Sequence, residues 1–345
     1  MKKRPSLEEL SKILGVSKSL ISFVINNKAE RYGISQETKK KVLDTITELG
    51  YQPNSFARSL RMGRSNAITL IVPRISNPFF ASIAEQIENR ASAVGYRVFI
   101  ANTGEVKEKE EDLLTSLINT NTTDGIILAT CSDDAESFKN IVPKKFPCIF
   151  IDRHIQGLEN GTVTLDNFEG AKQMTQHLIS KGCKRIGLLA ISPTHISSIY
   201  DRVNGYKEAL LVENISFRKG LIREIPFDYQ KSFLKQQISA LIEEEKIDAL
   251  FVLNNSLART CLEILHELKI NIPKNVRFAS FDDADLFWLM QPSVSVVSQP
   301  VEEITNAAFE LLMLSMRRRN NEVIEADPER KIVIKPELIF RSSTK

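Results

Sequence analysis

The chain has 345 residues, of which 42% are hydrophobic and 26% charged, and its formal net charge is +3. This length favours two or three domains, and this composition excludes wholesale disorder and collagen-like repeats. No apolar run approaches the ~18 residues of a membrane-spanning helix, and the cationic start Met1–Arg4 lacks the apolar stretch of a secretory signal. We therefore expect a cytosolic protein with no membrane partner.

Catalytic and metal-binding motifs are absent from the sequence. The four cysteines contain no Cys-x-x-Cys pair, and the four histidines are scattered. A zinc site or a disulfide framework would need closer pairs, so we expect reduced thiols and no metal. No glycine-rich phosphate loop is present, which argues against a nucleotide enzyme. We assign no catalytic residues and no cofactor.

Positive charge is concentrated at the N-terminus. Residues 1–65 carry 13 Lys and Arg against 6 Asp and Glu, whereas the remaining residues carry 33 against 37. A small basic segment on a slightly acidic body is typical of a protein that binds a polyanion. A solvated lysine-rich helix is the alternative that charge alone leaves open.

The basic segment begins with two short helices joined by a tight turn. Ser6-Leu7-Glu8-Glu9 is a capping box, and Gly15 ends the first helix. Ser17 is the N-cap of a second helix over 18–26. The pattern predicts a helix-turn-helix, whose second helix fits the ~12 Å wide major groove of DNA.

A third helix, capped by Ser35, completes this segment. The positions expected to form a common core are Leu7, Leu10, Ile13 or Leu14, Leu20, Ile21, Val24, Val42, Ile46 and Leu49. Three short helices around one small core indicate a DNA-binding domain rather than a catalytic one.

From residue 66 onward, short apolar strands alternate with amphipathic helices. The predicted strands cover 67–73, 97–101, 125–129, 148–151, 161–165, 185–190, 249–253 and 277–281. This alternation indicates parallel sheets with helices on both faces, and its length suits two doubly wound lobes with a cleft between them. We expect a helix-turn-helix domain over 1–50, a hinge over 51–65 and an interleaved two-lobed α/β core over 66–345.

Ligands of open α/β sheets bind at the carboxyl ends of the strands, so polar residues there are candidates. These residues are Asn102, Asp152, Arg153, Asp166, Asn254, Asn255, Asp282 and Asp283. Carboxylates and amides form hydrogen bonds with sugar hydroxyls, and an arginine adds a planar fork of donors.

The run Leu7–Ser22 resembles the helix-turn-helix signature of the LacI/GalR (lactose/galactose repressor) family of bacterial transcription regulators, and Tyr51–Leu60 is similar to the family's hinge. The resemblance implies an all-α head and a periplasmic-binding-protein-like core. It also implies a sequence-specific DNA-binding regulator, in this family most often a repressor. Its affinity for the operator would be controlled by a small ligand, a sugar or sugar derivative, bound between the lobes.

The resemblance further implies the DNA-binding residues. Lys18 and Ser19 would read bases, whereas the phosphate contacts would come from Ser6, Ser17, Ser22, Asn26 and Ser35. Phe23 replaces an arginine that many relatives carry and offers only apolar contact, for instance with a thymine methyl; an inward core position is the alternative. In the hinge, the implied residues are Asn54, Ala57 and Leu60. Leu60 would be a minor-groove wedge, unless the segment is a plain linker helix.

For the cleft, the resemblance implies an effector site. Ser76-Asn77-Pro78-Phe79-Phe80 and Phe281-Asp282-Asp283 resemble two of the family's cleft elements, and Arg202 matches its effector-gripping arginine. The implied ligand-binding residues are Phe79, Phe80, Asp152, Ser198, Arg202, Phe227, Asn255 and Asp282. Asn254-Asn255 departs from the usual Asn-Asp. Purely structural roles are the alternatives: a surface ion pair for Arg202, core packing for the two phenylalanines, and turn carboxylates for the aspartates.

Two half-sites on a palindromic operator require two heads, so a homodimer is expected. The helix Phe79–Val94 and the region Asp285–Pro292 resemble the family's subunit contacts, and the five residues after Phe340 leave no leucine-heptad tail for a tetramer. One alternative is a regulator of the same architecture that responds to a nucleobase, a phosphorylated metabolite or a protein partner. A transport-type sugar-binding protein would need a signal peptide, and an α/β enzyme would need a nucleophile–base pair or a metal cluster.

Overall fold

The computed structural model describes residues 5–51, 64–319 and 330–345. The chain divides into two compact units, Met1–Ser65 and Asn66–Lys345. The hinge residues Asn54, Ala57 and Leu60 lie outside the described residues. Within the described parts of the chain, no helix has both the length and the apolar character that crossing a bilayer requires.

The first unit contains the α-helices α1 (Leu7–Leu14), α2 (Lys18–Ile25) and α3 (Gln36–Glu48). α1 begins at the predicted capping box, because the Glu9 N–H donates to Ser6 Oγ at 3.2 Å and the Ser6 N–H donates to Glu9 Oε2 at 2.6 Å. The turn to α2 passes through Gly15 at a φ of 68°, a left-handed conformation that glycine adopts at little cost. The predicted helix-turn-helix is therefore confirmed.

The core of this unit differs from the sequence prediction at Ala29, which is buried without having been predicted, and at Leu49. Of the alternatives Ile13 and Leu14, Leu14 is the core residue. Its buried residues are Leu10, Leu14, Ile21, Val24, Ala29 and Val42. Ile13 is 61% exposed, because successive helical residues point in different directions and Leu14 takes the inward one. Leu49 is 38% exposed, because α3 ends at Glu48 and helical spacing no longer applies.

The second unit contains two six-stranded sheets, which define a first and a second lobe. In spatial order, the strands of the first lobe are β11 (Lys331–Ile334), β5 (Gly161–Leu165), β4 (Cys148–Ile151), β3 (Gly125–Leu128), β1 (Ala67–Val72) and β2 (Arg97–Asn102). All of these pairs are parallel. Leu70 and Ile71, successive residues of β1, are buried in two different apolar clusters, so both faces of this sheet are covered.

The second lobe repeats this arrangement with one antiparallel edge. Its strands in spatial order are β12 (Glu337–Ile339), β10 (Ser295–Ser298), β9 (Arg277–Phe281), β8 (Ala249–Val252), β6 (Ile186–Ser192) and β7 (Ile222–Pro226). Only β12 runs antiparallel to its neighbour. The helices of the two lobes are α4 (Pro78–Ala93), α5 (Lys107–Asn119), α6 (Ala135–Ile141), α7 (Asn167–Ser180), α8 (Ser197–Val212), α9 (Lys231–Glu243), α10 (Asn255–Glu267), α11 (Asp285–Leu289) and α12 (Val301–Arg319).

The two lobes are interleaved in sequence. The chain leaves the first lobe at Asp166, returns after Gln299 through α12, which packs against β3, β4 and β5, and leaves again after β11. The Asp166 N–H donates to the Ile334 carbonyl at 2.8 Å, which ties the first crossing to the third. The predicted two-lobed core with parallel sheets is confirmed.

All eight predicted strands are present, with ends that differ by at most two residues. The prediction missed β7, β10, β11 and β12. β7, β11 and β12 lie at sheet edges and carry charged residues, so their apolar signal is weak. β10 has only two apolar residues, Val296 and Val297, between serines, so its apolar run is shorter than those of the other four-residue strands.

Candidate DNA-binding and ligand-binding sites

The start of α2 presents the two residues expected to read bases. Lys18 and Ser19 are exposed, and the Leu20 N–H donates to Ser17 Oγ at 3.2 Å, which fixes the beginning of the helix. Lys18 Nζ lies 3.0 Å from Glu8 Oε2 of α1. The hydrogen bond from Lys18 lowers the pKa of Glu8, which favours the carboxylate form of Glu8.

Phe23 is not an inward residue of the apolar core, which was the structural alternative to a DNA contact. Its ring stacks on Tyr32, with 3.8 Å between the ring centroids and 8° between the planes. Phe23 is half-buried and does not join the apolar core of this unit, while Tyr32 is 51% exposed. The pair therefore forms an aromatic ledge beside α2, with apolar surface open to a partner.

Four of the five expected phosphate-binding side chains lie at helix ends, and Ser22 lies inside α2. Ser6 and Ser35 are N-caps, where the helix dipole and free N–H groups favour anions. Asn26 turns toward its own helix, because its Nδ2 donates to the Ser22 carbonyl at 2.7 Å.

A cleft of about 730 Å³, counted with the open solvent at its mouth, lies where strand ends of the two lobes face each other. Seven of the eight residues expected from the sequence line it: Phe79, Phe80, Asp152, Ser198, Arg202, Phe227 and Asp282. Asn255 is the exception, because it is buried and its Nδ2 donates to the Asp283 carbonyl at 3.3 Å. Its neighbour Asn254 lines the cleft instead.

Arg202 is held rigidly at the base of the cleft. It projects from α8 and is 4% exposed. Its Nε donates to Asn167 Oδ1 at 2.7 Å, its Nη1 donates to the Leu253 carbonyl at 2.9 Å, and its guanidinium carbon lies 3.7 Å from the centre of the Phe281 ring. The alternative of a surface ion pair is excluded by this burial.

Two carboxylates flank this guanidinium from opposite lobes. Asp152 Oδ1 lies 3.9 Å from Arg202 Nη2, and Asp282 Oδ2 lies 3.8 Å from Arg202 Nη1. Both distances exceed the ~3.2 Å of a normal hydrogen bond, so these oxygens keep acceptor capacity. Burial raises the pKa of Asp152, while the positive charges of Arg153 and Arg202 oppose that shift.

Both aspartates also adopt an uncommon backbone conformation. The φ angles are 60° at Asp152 and 69° at Asp282, each directly after a strand. A left-handed residue that is not glycine is uncommon, and such residues cluster at functional sites. This conformation turns each side chain away from the strand direction and out of the ordinary pleat.

Several residues that line the cleft are not among the ligand-binding residues predicted from the sequence. Arg74, Asn77, Tyr229 and Gln299 also line the cleft. Gln299 directly follows β10, so the rule for strand ends would have found it had that strand been recognised. Arg74 directly follows the predicted first strand, so the same rule selects it.

Other strand-end candidates have local partners instead. Arg153 lines the cleft but forms a bidentate ion pair with Glu105, with N–O distances of 2.7 Å and 2.9 Å. Asp283 pairs with Arg341 at 2.6 Å, and Asp166 caps α7. Asn102 accepts from the Ile75 N–H at 2.9 Å. Throughout the described ranges, no group of three or more His, Cys, Asp or Glu side chains is arranged to hold a metal ion.

Comparison with known proteins agrees with this arrangement of head and cleft. The family model "Bacterial regulatory proteins, lacI family" matches residues 6–54, and the model "Periplasmic binding protein-like domain" matches residues 175–344. The chain is 28% identical to the HTH-type transcriptional regulator KdgR of Bacillus subtilis, over 96% of this chain and 97% of that protein. It is 29% identical to the ribose operon repressor of Halalkalibacterium halodurans, over 96% of each chain.

A solved structure extends the likeness to three dimensions. The crystal structure of a periplasmic binding protein/LacI transcriptional regulator from Alkaliphilus metalliredigens, complexed with D-xylulofuranose, is 28% identical to this chain. The match has a TM-score of 0.67 and covers 81% of this chain and 99% of that one. These relatives are transcriptional regulators and not enzymes. From its helix-turn-helix, its two-lobed core and these matches, the chain belongs to the LacI family of bacterial regulatory proteins, which are DNA-binding transcriptional regulators.

Proposed function

We propose that the chain is a repressor whose affinity for a palindromic operator is controlled by a sugar or sugar derivative bound in the cleft. The observation that carries this proposal is the buried Arg202 between Asp152 and Asp282, at distances too long for direct hydrogen bonds. Ligand hydroxyls that donate to the two carboxylates, and ligand oxygens that accept from the guanidinium, would complete this arrangement. Phe79, Phe80 and Phe227 supply apolar surface for the carbon skeleton.

Such a ligand would set the relative position of the two lobes. Asp152 ends a strand of the first lobe, whereas Asp282 ends a strand of the second. A ligand that binds both therefore favours the lobe arrangement in which both contacts form. From the resemblance of Tyr51–Leu60 to the family's hinge, this bias would reach DNA through residues 51–65. A short helix is marginal alone in water, so such a hinge would fold only when two copies meet in the minor groove.

The helix-turn-helix would supply the sequence-reading contacts. Lys18 and Ser19 would read base edges, and Phe23 would add apolar contact from the ledge that it forms with Tyr32. Ser6, Ser17, Ser22, Asn26 and Ser35 would contact phosphates, which fixes the register without reading sequence.

A homodimer would bring two heads to the two half-sites. The region predicted to contact a second subunit includes α11, whose Leu286, Trp288 and Leu289 are 46%, 61% and 61% exposed. Adjacent apolar side chains at this level of exposure favour coverage by a partner. This surface supports the dimer, and sedimentation of the purified chain would measure it.

The experiment that tests this function starts with in vitro selection from random double-stranded DNA. We expect the purified chain to enrich a palindrome, and one compound in a panel of sugars and nucleobases to raise the melting temperature and change operator affinity. Leu60→Gly should abolish specific binding but leave the ligand-induced rise intact, while the conservative control Leu60→Met should behave like the wild type. Selection that yields no sequence preference, with or without small molecules, would refute the proposal. A nucleobase as the only stabilising compound would refute its sugar part.

A further inference from the structure

We infer that the ligand of the cleft carries an anionic group, a carboxylate or a phosphate, which binds to Arg74 at the mouth of the cleft. The inference rests on the proposed ligand-binding function of the cleft and adds the chemical class of the ligand. The class is a polyhydroxylated acid or a sugar phosphate, as opposed to a neutral sugar.

Arg74 reaches from the first lobe to the second. It follows β1, is exposed, and its guanidinium carbon lies 4.7 Å from the centre of the Phe227 ring, which follows β7 in the other lobe. A guanidinium that rests on an aromatic face keeps its N–H groups in its own plane, where they remain able to bind an anion. The Phe227 ring thus orients the guanidinium N–H donors of Arg74 without forming hydrogen bonds with them.

Arg74 is also the cleft arginine whose charge has no nearby counterpart. Arg153 is neutralised by its bidentate contact with Glu105, and Arg202 lies between two aspartates. For Arg74, no carboxylate of the described residues lies within 4.0 Å of the guanidinium. Burial raises the pKa of Tyr229, another residue that lines the cleft, and the positive charge of Arg74 acts in the opposite direction.

The inner end of the cleft requires hydrogen-bond donors from the ligand, whereas Arg74 requires an anionic acceptor. Gln299 is 8% exposed, and its Nε2 donates to Asp282 Oδ1 at 2.6 Å, which fixes the direction of the amide. The other atom of this amide, Oε1, is buried and has no hydrogen-bond partner. Together with Asp152 and the second oxygen of Asp282, it forms a set of acceptors that calls for O–H donors.

The two ends of the cleft therefore select different parts of one ligand. Hydroxyl groups satisfy the acceptors around Arg202, and an acidic group at the far end of the same molecule satisfies Arg74. A neutral sugar would satisfy only the inner end. Carboxylate and phosphate both fit a guanidinium fork, so the structure assigns an anion and the experiment separates its two sources.

The test compares acidic ligands with neutral counterparts on the wild-type chain. The carboxylate arm pairs D-gluconate with D-sorbitol, D-glucuronate with D-glucose and D-galacturonate with D-galactose; the phosphate arm pairs D-glucose 6-phosphate with D-glucose. Melting temperature and calorimetric affinity are measured at matched sodium concentration. We expect at least one acidic member to bind about tenfold or more tightly than its neutral partner, the effect of about one charge-assisted hydrogen bond.

Variants then assign this preference to one side chain. Arg74→Gln should weaken binding of the acidic ligand about tenfold and change binding of its neutral counterpart by less than about twofold. Arg97→Gln is the matched control, because Arg97 also lies over a ring, Phe99 at 6.0 Å, but does not line the cleft. The control should leave both affinities unchanged.

Three results would overturn the inference: no acidic compound binds, neutral partners bind as tightly, or Arg74→Gln leaves the affinity for the acid intact. A neutral sugar that alone stabilises the chain and alters operator binding would overturn this inference and leave the proposed function standing. If the purified wild-type chain shows no sequence-specific DNA binding, with or without these compounds, the proposed function itself is refuted.

Discussion

Replacing Arg202 by methionine should destabilise the core strongly, because the change removes a buried cation and keeps the length of the side chain. Two hydrogen bonds are lost, to Asn167 at 2.7 Å and to the Leu253 carbonyl at 2.9 Å, and each involves a charged donor. Asp152 and Asp282 are left without their shared cation in a site where their side chains are each 6% exposed. Breaking a buried ion pair by removing one partner costs about 3–5 kcal/mol. Because packing on Phe281 is partly retained, we expect a loss near the lower limit, about 3 kcal/mol.

Urea unfolding of the wild type, Arg202→Met, Asp152→Asn and the double variant measures this loss. In the wild type, Asp152→Asn removes an attractive partner of Arg202. In Arg202→Met it removes a buried charge whose remaining cation is Arg153, 3.4 Å away and already paired with Glu105. The two changes should therefore be non-additive by about 1 kcal/mol, with Asp152→Asn less harmful in the Arg202→Met background. A loss below about 1 kcal/mol for Arg202→Met, or strict additivity of the two changes, would refute the account of Arg202 as the cation that holds both carboxylates.

Two further changes test the support of the cleft. In Gly205→Ala on α8, the new Cβ would lie 2.1 Å from the Phe168 carbonyl oxygen of α7. The two helices must separate, so we expect Gly205→Ala to lower the free energy of unfolding in urea by about 1–3 kcal/mol. The exposed control Lys207→Ala should leave it unchanged. An unfolding free energy equal to that of the wild type for Gly205→Ala would contradict this packing. Burial raises the pKa of Glu110, so its folded pKa exceeds its unfolded pKa, and its contribution to stability declines as pH rises from the ordinary carboxyl range toward the raised value. In melting temperature measured against pH, Glu110→Gln should lack this decline. Identical pH profiles for the variant and the wild type would exclude a raised pKa for Glu110.

Much of the cleft could be predicted because its residues obey a rule of topology. Asp152 and Asp282 directly follow strands that apolar runs reveal, so the carboxyl-end rule selects them without any knowledge of packing. The rule does not say which way a side chain turns. It therefore could not separate Asn254, which faces the cleft, from Asn255, which turns toward the Asp283 carbonyl.

The head was predictable for a similar reason, since caps and glycine turns are local signals. The stack of Phe23 on Tyr32 was not, because Tyr32 comes from the loop after α2, and its position depends on tertiary contacts. The same limit applies to Arg74 and Phe227. These residues are far apart in sequence and come from different lobes, so their contact depends on how the two lobes pack together.

The three crossings of the chain constrain how the cleft can open. Neither lobe is one continuous segment, and the first and third crossings are joined by the hydrogen bond between Asp166 and Ile334. This hydrogen bond holds two exits from the first lobe side by side. Sliding one lobe past the other would displace all three crossings, whereas bending at the strand exits leaves this bond in place. The motion that this arrangement favours is therefore a hinge rotation of the lobes about an axis through the three crossings. A small displacement at the ligand then grows with distance from that axis, so the outer rims of the lobes travel farthest.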